Sequence, residues 1–371
     1  MMGMRFSEKV QGIEISGIRR IFEGAGPGSI NLGLGQPDFD TPQHIKDAAI
    51  RAIAEGKTGY TMNAGIEELR TGICEKLRRE NALSYRPNQV IVTAGASEAL
   101  HLVCQALTNP GDRVLVPDPG FVSYAALATI AGARVDGIPL DSRLHIDVEA
   151  AKERMEGARL LFLNSPGNPT GAVESPESIC ALVESANDLG VTVVSDEVYE
   201  HFTYGRPHVS AACYGDDVIT VNAASKTYAM TGWRIGFLAA DESVIGQCIK
   251  VHQYCQACAT SIAQYAALAA YTGDQSSIAV MRREYQARRD LLYEGLNRLG
   301  FQFPLPEGAF YTFVPMGRDL TEKVIRKGVI IVPGDSFGRN ARDYARLTYA
   351  TSRENIREAL SRIASAAEEE R

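Results

Sequence analysis

Apolar residues along this chain follow two rhythms that alternate. Short, nearly continuous apolar runs predict strands at Val90-Ile-Val-Thr93, Arg113-Val-Leu-Val-Pro117, Arg159-Leu-Leu-Phe-Leu163, Val191-Thr-Val-Val194, Val218-Ile-Thr-Val221 and Ile235-Gly-Phe-Leu238. Between several of them, apolar residues recurring every three or four positions predict helices over Gln43–Glu55, Glu67–Asn81, Ala96–Leu107, Tyr124–Gly132 and Ser175–Leu189. Strands apolar on both faces and separated by helices make a buried, mostly parallel sheet, an α/β fold. Residues 13 to 44 read as irregular, with Thr41 placed to cap the first of these helices and Pro42 in its first turn. A long stretch rich in Arg and Glu, Gln275–Leu299, reads as a solvent-facing connector into a C-terminal α+β region.

The polar motifs fall just after the strands, where an open α/β sheet presents its ligand crevice. Thr93-Ala-Gly-Ala-Ser97 is a strand, a glycine turn and a helix start, so Gly95, Ala96 and Ser97 make a phosphate cradle. Asn164-Ser-Pro-Gly-Asn168-Pro-Thr-Gly171 is a loop stiffened by prolines that aims Asn168 into the crevice. Asp196, in Ser195-Asp-Glu-Val-Tyr199, is a strand-end carboxylate that is costly unless it meets a cation such as a pyridinium nitrogen. Tyr199 can aim its phenol at the same ring, while Glu197 reads as a surface turn charge. Ser225-Lys226 follows the next strand, and Arg234 lies eight residues on, supplying an amine nucleophile and a forked anion clamp. Two other candidates fail. Gly33-Leu-Gly35 has Asp38 where a dinucleotide fingerprint needs its third glycine, and Gly56-Lys57-Thr58 has Arg51 where a P-loop needs its first.

Composition narrows the setting. A chain of 371 residues suits a large domain plus a smaller one, and 45% hydrophobic with 22% charged content is ordinary for a soluble protein. A net charge of −7 argues against nucleic acid or an anionic membrane as partner, so small anions need local basic pockets. Seven cysteines without framework spacing suggest reduced thiols and a cytoplasmic address. Cys255 and Cys258 lack a second ligand pair in sequence, so no metal site is expected and helix packing is the simpler reading. Residues Met1 to Gly12 lack the apolar core of a secretory signal, and no run approaches the ~20 apolar residues that span a bilayer.

Together the motifs resemble the class I aminotransferases of the pyridoxal-phosphate fold-type I superfamily. Asn164–Gly171, Asp196–Tyr199 and Ser225-Lys226 through Arg234-Ile-Gly236 carry the likeness, with Gly33–Asp38, Pro306-Glu-Gly-Ala-Phe-Tyr311 and Arg346-Leu-Thr-Tyr349 in the family's order. The resemblance implies a large domain with a seven-stranded, mostly parallel sheet over residues 43–274. It also implies a small α+β domain from both termini, residues 1–42 (with an N-terminal arm) and 275–371. It implies pyridoxal 5'-phosphate as cofactor, with Lys226 carrying it as an imine and shuttling a proton. Asp196 would pair with the ring nitrogen, Tyr199 and Asn168 would hydrogen-bond the ring oxygen, and Phe121 would stack on the ring. Arg234, Ser225 and the Gly95–Ser97 turn would hold the phosphate, joined by Tyr60 from the neighbouring subunit of a homodimer. Arg346 would take the substrate α-carboxylate, aided by Asn168 and the Gly35 backbone.

Two positions depart from the family's pattern. Ala223 stands where a serine often binds the phosphate, and Ser97 stands where some aspartate-specific relatives carry a lysine. The implied activity is transfer of an amino group from an L-amino acid (aspartate, aromatic or alanine-like) to a 2-oxo acid such as 2-oxoglutarate. A C–S β-lyase of the same fold shares nearly the same residues. A regulatory relative would carry an N-terminal DNA-binding module, for which there is no room before the first motif near residue 30. The side-chain pocket draws on scattered positions such as Ile15–Arg20 and Tyr254–Ser261.

Overall fold

In the computed structural model, residues 5–13, 15, 17, 26 and 28–369 are described. β1 (Ile30–Asn31) comes first. One sheet then takes β2 (Val90–Thr93), β3 (Arg113–Asp118), β4 (Arg134–Pro139), β5 (Ala158–Asn164), β6 (Thr192–Asp196), β7 (Val218–Ala223) and β8 (Gly236–Ala239). β9 (Tyr311–Val314), β10 (Val329–Ile330), β11 (Val332–Pro333) and β12 (Ala345–Thr348) follow.

The large sheet runs β2-β8-β7-β6-β5-β3-β4. β3 to β7 are parallel, and β8 is antiparallel to both of its neighbours. Every residue of β7 is buried, as its unbroken Val-Ile-Thr-Val run requires of a central strand covered on both faces. β4 makes no strand-like apolar run because it is an edge strand. Its Arg-Val-Asp-Gly-Ile-Pro sequence buries only Ile138 and so never forms an apolar run.

Register decides where the polar residues meet. Asn164, the last residue of β5, lies opposite Asp196, the last of β6, and Asp196 lies opposite Val221 of β7. The strand ends therefore form one ledge, which the loops after β5, β6 and β7 surmount.

A second body of structure completes that ledge from the chain's two ends. β1 runs parallel to β10, so the segment read as irregular is stitched to the C-terminal quarter at Ile30–Val329. β11, β12 and β9 make an antiparallel sheet in which Arg346 lies opposite Phe313 and Val332. The helix Ser276–Arg298 is not the solvent-facing connector its charge suggested. It buries Ile278, Met281, Tyr285, Leu292 and Leu296, and two of its arginines, Arg288 and Arg289, are buried as well. Their partners, Asp38 and Glu284 for Arg288, and Asp290 and the Pro306 carbonyl for Arg289, explain how charge-rich sequence enters a core. Each large apolar side chain taken from water there contributes roughly 1.5–3 kcal/mol.

Thr41 does not cap the helix Gln43–Ala54. Pro42 holds the cap position, and the Thr41 hydroxyl donates to the Ala229 carbonyl at 2.8 Å and accepts from Trp233 Nε1. Cys255 and Cys258 are not helix packing either. Cys255 is exposed at the end of the helix Glu242–Cys255, and Cys258 is half-buried in the turn beyond. No helix among the described residues is long and apolar enough to cross a membrane. Of residues 15–20, only Ile15 and Gly17 are among those described.

Candidate active site

Asparagine side chains lock the ledge. Asn164 Nδ2 donates to the Asp196 carbonyl at 2.9 Å, and its Oδ1 accepts the Asn168 N–H at 2.8 Å. One residue thus ties two strand-end loops together. The Asp196 carboxylate is 3% exposed. It accepts the Tyr124 hydroxyl at 2.8 Å and, more weakly, the Val198 N–H at 3.4 Å. Burial pushes its pKa up to about 6, against the pull of those donors and of Lys226.

Lys226 sits on the single helical turn Ala224–Thr227 that follows β7. Its Nζ donates to the Gly35 carbonyl at 2.7 Å and stands 5.8 Å from the Tyr199 ring centroid. Burial, then Arg346 and Arg234, bring its pKa down to about 8, with Asp196 opposing them. A half-buried lysine with a lowered pKa is a ready nucleophile.

Arg234 adopts the left-handed conformation, φ +54, a strain that costs an ordinary residue about 1–3 kcal/mol and that clusters at functional sites. Its Nη1 donates to the Thr231 carbonyl at 2.9 Å and its Nη2 to the Ala94 carbonyl at 3.3 Å. Gly95, φ +79, makes the approach possible, since a Cβ there would stand 2.7 Å from Arg234 Nη2. In the helix Ala96–Leu107, the N–H groups of Glu98 and Ala99 turn back to the Gly95 carbonyl. The N–H groups of Ala96 and Ser97 precede any intrahelical acceptor, beside the arginine.

Across the cavity, Arg346 is 1% exposed. Its guanidinium lies between the rings of Tyr311 and Phe337, 4.4 and 4.9 Å from their centroids. Nη1 donates to Asn168 Oδ1 at 2.9 Å and Nη2 to the Gly33 carbonyl, while Nε is buried with no partner among the described residues. The Gly33 carbonyl thus serves Arg346, and the Gly35 carbonyl serves Lys226. A cavity of about 250 Å³ joins these groups. Of the residues predicted for catalysis, the cofactor and the substrate carboxylate, all but Gly95 and Tyr60 line it, and Tyr60 is 91% exposed; Ile15, Gly17 and residues 254–261, expected in the side-chain pocket, do not line it.

A family profile described as aminotransferase class I and II matches residues 27–363. The chain belongs to that family. It is 46% identical over 369 residues to a probable aspartate aminotransferase of Methanocaldococcus jannaschii, covering 96% of this chain and 98% of the relative. It is 41% identical over 348 residues to the aspartate/prephenate aminotransferase of Thermus thermophilus, covering 90% of each. The solved aspartate aminotransferase of Thermus thermophilus with maleate superposes with a TM-score of 0.93 at 39% identity, over 98% of this chain and all of that one.

The protein is thus a transaminase of fold type I that depends on pyridoxal 5'-phosphate. Its cavity fits that cofactor. A half-buried amine, a buried carboxylate, a glycine-opened anion cradle and a guanidinium nitrogen unpaired among the described residues converge on one volume.

This aminotransferase holds features that its sequence did not advertise. Tyr124, three residues beyond Phe121 on one helical face, caps Asp196. Tyr311, at the end of Gly308-Ala-Phe-Tyr311, shares a hydroxyl–hydroxyl bond of 2.8 Å with Tyr199. Glu197 is no surface charge; it is fully buried. It accepts the Ser195 and Ser210 hydroxyls and the Ala211 N–H, and faces His208 Nε2 at 3.1 Å. All but Ser195 come from a loop more than ten residues on, so no local pattern announces them. Beside it, Glu200 accepts Lys76 Nζ, Asn81 Nδ2 and Asn222 Nδ2. Burial works against that carboxylate's charge, but Lys76, His201 and His208 outweigh it and hold the pKa far below the usual range. Ligand atoms of Glu80, Glu200 and His201, and of Glu197, Glu200 and His208, lie within 4.8 Å of one another, but Lys76 and the asparagines already occupy Glu200.

Proposed function

We propose that this aminotransferase moves the amino group of an L-amino acid, with aspartate, aromatic or alanine-like side chain, to a 2-oxo acid such as 2-oxoglutarate by alternating half-reactions. The observation that carries the reading is the pairing of Arg346 with Asn168 across one cavity from Lys226. The cofactor, when bound, supplies an electron sink for the Cα–H bond. Arg346 takes the substrate α-carboxylate bidentately, its ring sandwich fixing the fork's plane. Lys226 Nζ would hold the cofactor as an imine and, once released, would carry a proton between the substrate Cα and the cofactor's C4′. Asp196 keeps the ring nitrogen protonated. At ~4 Å and an effective dielectric of ~20 the attraction is about 4 kcal/mol. Tyr199 and Asn168 address the ring oxygen, Phe121 the ring face, and Arg234, Ser225 and the Gly95–Ser97 turn the phosphate.

The enzyme works as a homodimer, with Tyr60 reaching the partner's phosphate. Support comes from Ile50, Ile53, Tyr60, Met62 and Tyr254, large apolar side chains each more than half exposed in the single chain. The division at residues 42 and 274 belongs to the same reading. Seven free cysteines fit a reducing, cytoplasmic setting.

Cofactor-loaded protein supplied with 2-oxoglutarate and each of the twenty amino acids should form glutamate with at least one of those donors. Absence of glutamate throughout the panel would sink the reading. Pyruvate and ammonia released from cystathionine without an acceptor would redirect it to elimination.

A further inference from the structure

Tyr311 is a buried phenol for which the roles above leave no task. It lies at the start of β9, 1% exposed, with its ring against the Arg346 guanidinium and its hydroxyl 2.8 Å from that of Tyr199. Space has been cleared for that hydroxyl, because a Cβ on Gly35 would land on it. The two phenols meet nearly edge to face, centroids 5.6 Å apart and planes at 84°, and each also packs on Phe310. Both rings are thereby fixed.

A hydroxyl has one proton to donate. If Tyr199 spends its proton on the cofactor ring oxygen, the bond between the phenols must run from Tyr311 to Tyr199. We propose that Tyr311 is a positioning residue that donates to Tyr199 and so strengthens the Tyr199 hydrogen bond to the ring oxygen. Hydrogen bonds in series polarise one another, and the effect is largest where water is excluded. The inference rests on the reading of Tyr199 given above.

The consequence is readable without turnover. Negative charge on the ring oxygen is least compensated when the neighbouring imine nitrogen has lost its proton, so a stronger donor favours the deprotonated form. Tyr311→Phe keeps the ring against Arg346 and Phe310 and removes only the hydroxyl. In the cofactor-loaded enzyme it should raise the pH midpoint of the visible absorbance by roughly half to one pH unit, the effect of one neutral hydrogen bond. The donor's KM should stay within about twofold, since the ring remains over Arg346. Tyr199→Phe should raise the midpoint at least as far. A shift in Tyr199→Phe with none in Tyr311→Phe would overturn the relay and leave Tyr199's role standing. No shift in either variant would remove both. A KM rise in Tyr311→Phe without a midpoint shift would make Tyr311 a carboxylate-site wall, and would equally overturn the relay.

Discussion

The pKa of Lys226 makes a demanding prediction for the apoenzyme. At pH 7 an ordinary lysine with pKa 10.5 is neutral in about one molecule in three thousand, whereas one at about 8 is neutral in about one in eleven. Burial and the charges of Arg346 and Arg234 therefore raise the reactive fraction by roughly 300-fold. Arg346→Gln removes the larger of the two repelling charges and leaves burial, the leading cause, in place. Competitive acetylation with a small neutral reagent, read by mass spectrometry from pH 6 to 11, reports the titration of this one amine. The wild-type midpoint should lie near 8, and that of Arg346→Gln should move upward while staying below 10.5. A wild-type midpoint matching those of surface lysines would refute the reasoning, as would an unmoved midpoint in the variant. A stability sign accompanies the shift. Between pH 8 and 10.5 the unfolded chain keeps a proton that the folded apoenzyme has released, so this group favours folding increasingly as pH rises through that window.

Two further outcomes follow from buried charge. Glu200→Gln leaves Lys76, 1% exposed, without its closest anion and should cost about 3–5 kcal/mol in urea unfolding at pH 7; unchanged unfolding would show that Glu80, 3.4 Å away, carries the pair. Asp196→Asn keeps a group able to meet Tyr124 but removes the charge. At about 4 kcal/mol it should slow the amino-acid half-reaction roughly a thousandfold in single-turnover absorbance measurements, and a loss below tenfold would deny Asp196 its task.

What was legible in the chain and what was not divide along physical lines. β5, β6 and β7 announce themselves because a central parallel strand is apolar on both faces, and the residues closing them, Asn164 and Asp196, are conspicuous by contrast. Lys226 and Arg234 could be read because one short stretch carries both. β4 could not, since an edge strand needs no apolar run, nor could β1, where two residues suffice. Glu197 failed for another reason. A charge followed by a loop looks solvated until His208 and Ser210 return to cover it, and their return is tertiary. Tyr311 and Tyr124 carry no predicted role; both are core aromatics, and only the position of a hydroxyl, at Tyr199 or at Asp196, separates them from Tyr349 or Tyr285.

The pairing of β1 with β10 has a consequence for how the enzyme is made. A ribosome delivers this chain from its N-terminus, so the seven strands of the large sheet, and with them Asn168, Asp196, Lys226 and Arg234, are complete once Ala239 has emerged. Ile30 must still wait for Val329, and Lys226 acquires its cross-cavity neighbours Tyr311 and Arg346 only as the last quarter arrives. The residues proposed to grip the cofactor therefore exist before Arg346, which is proposed to grip the substrate α-carboxylate.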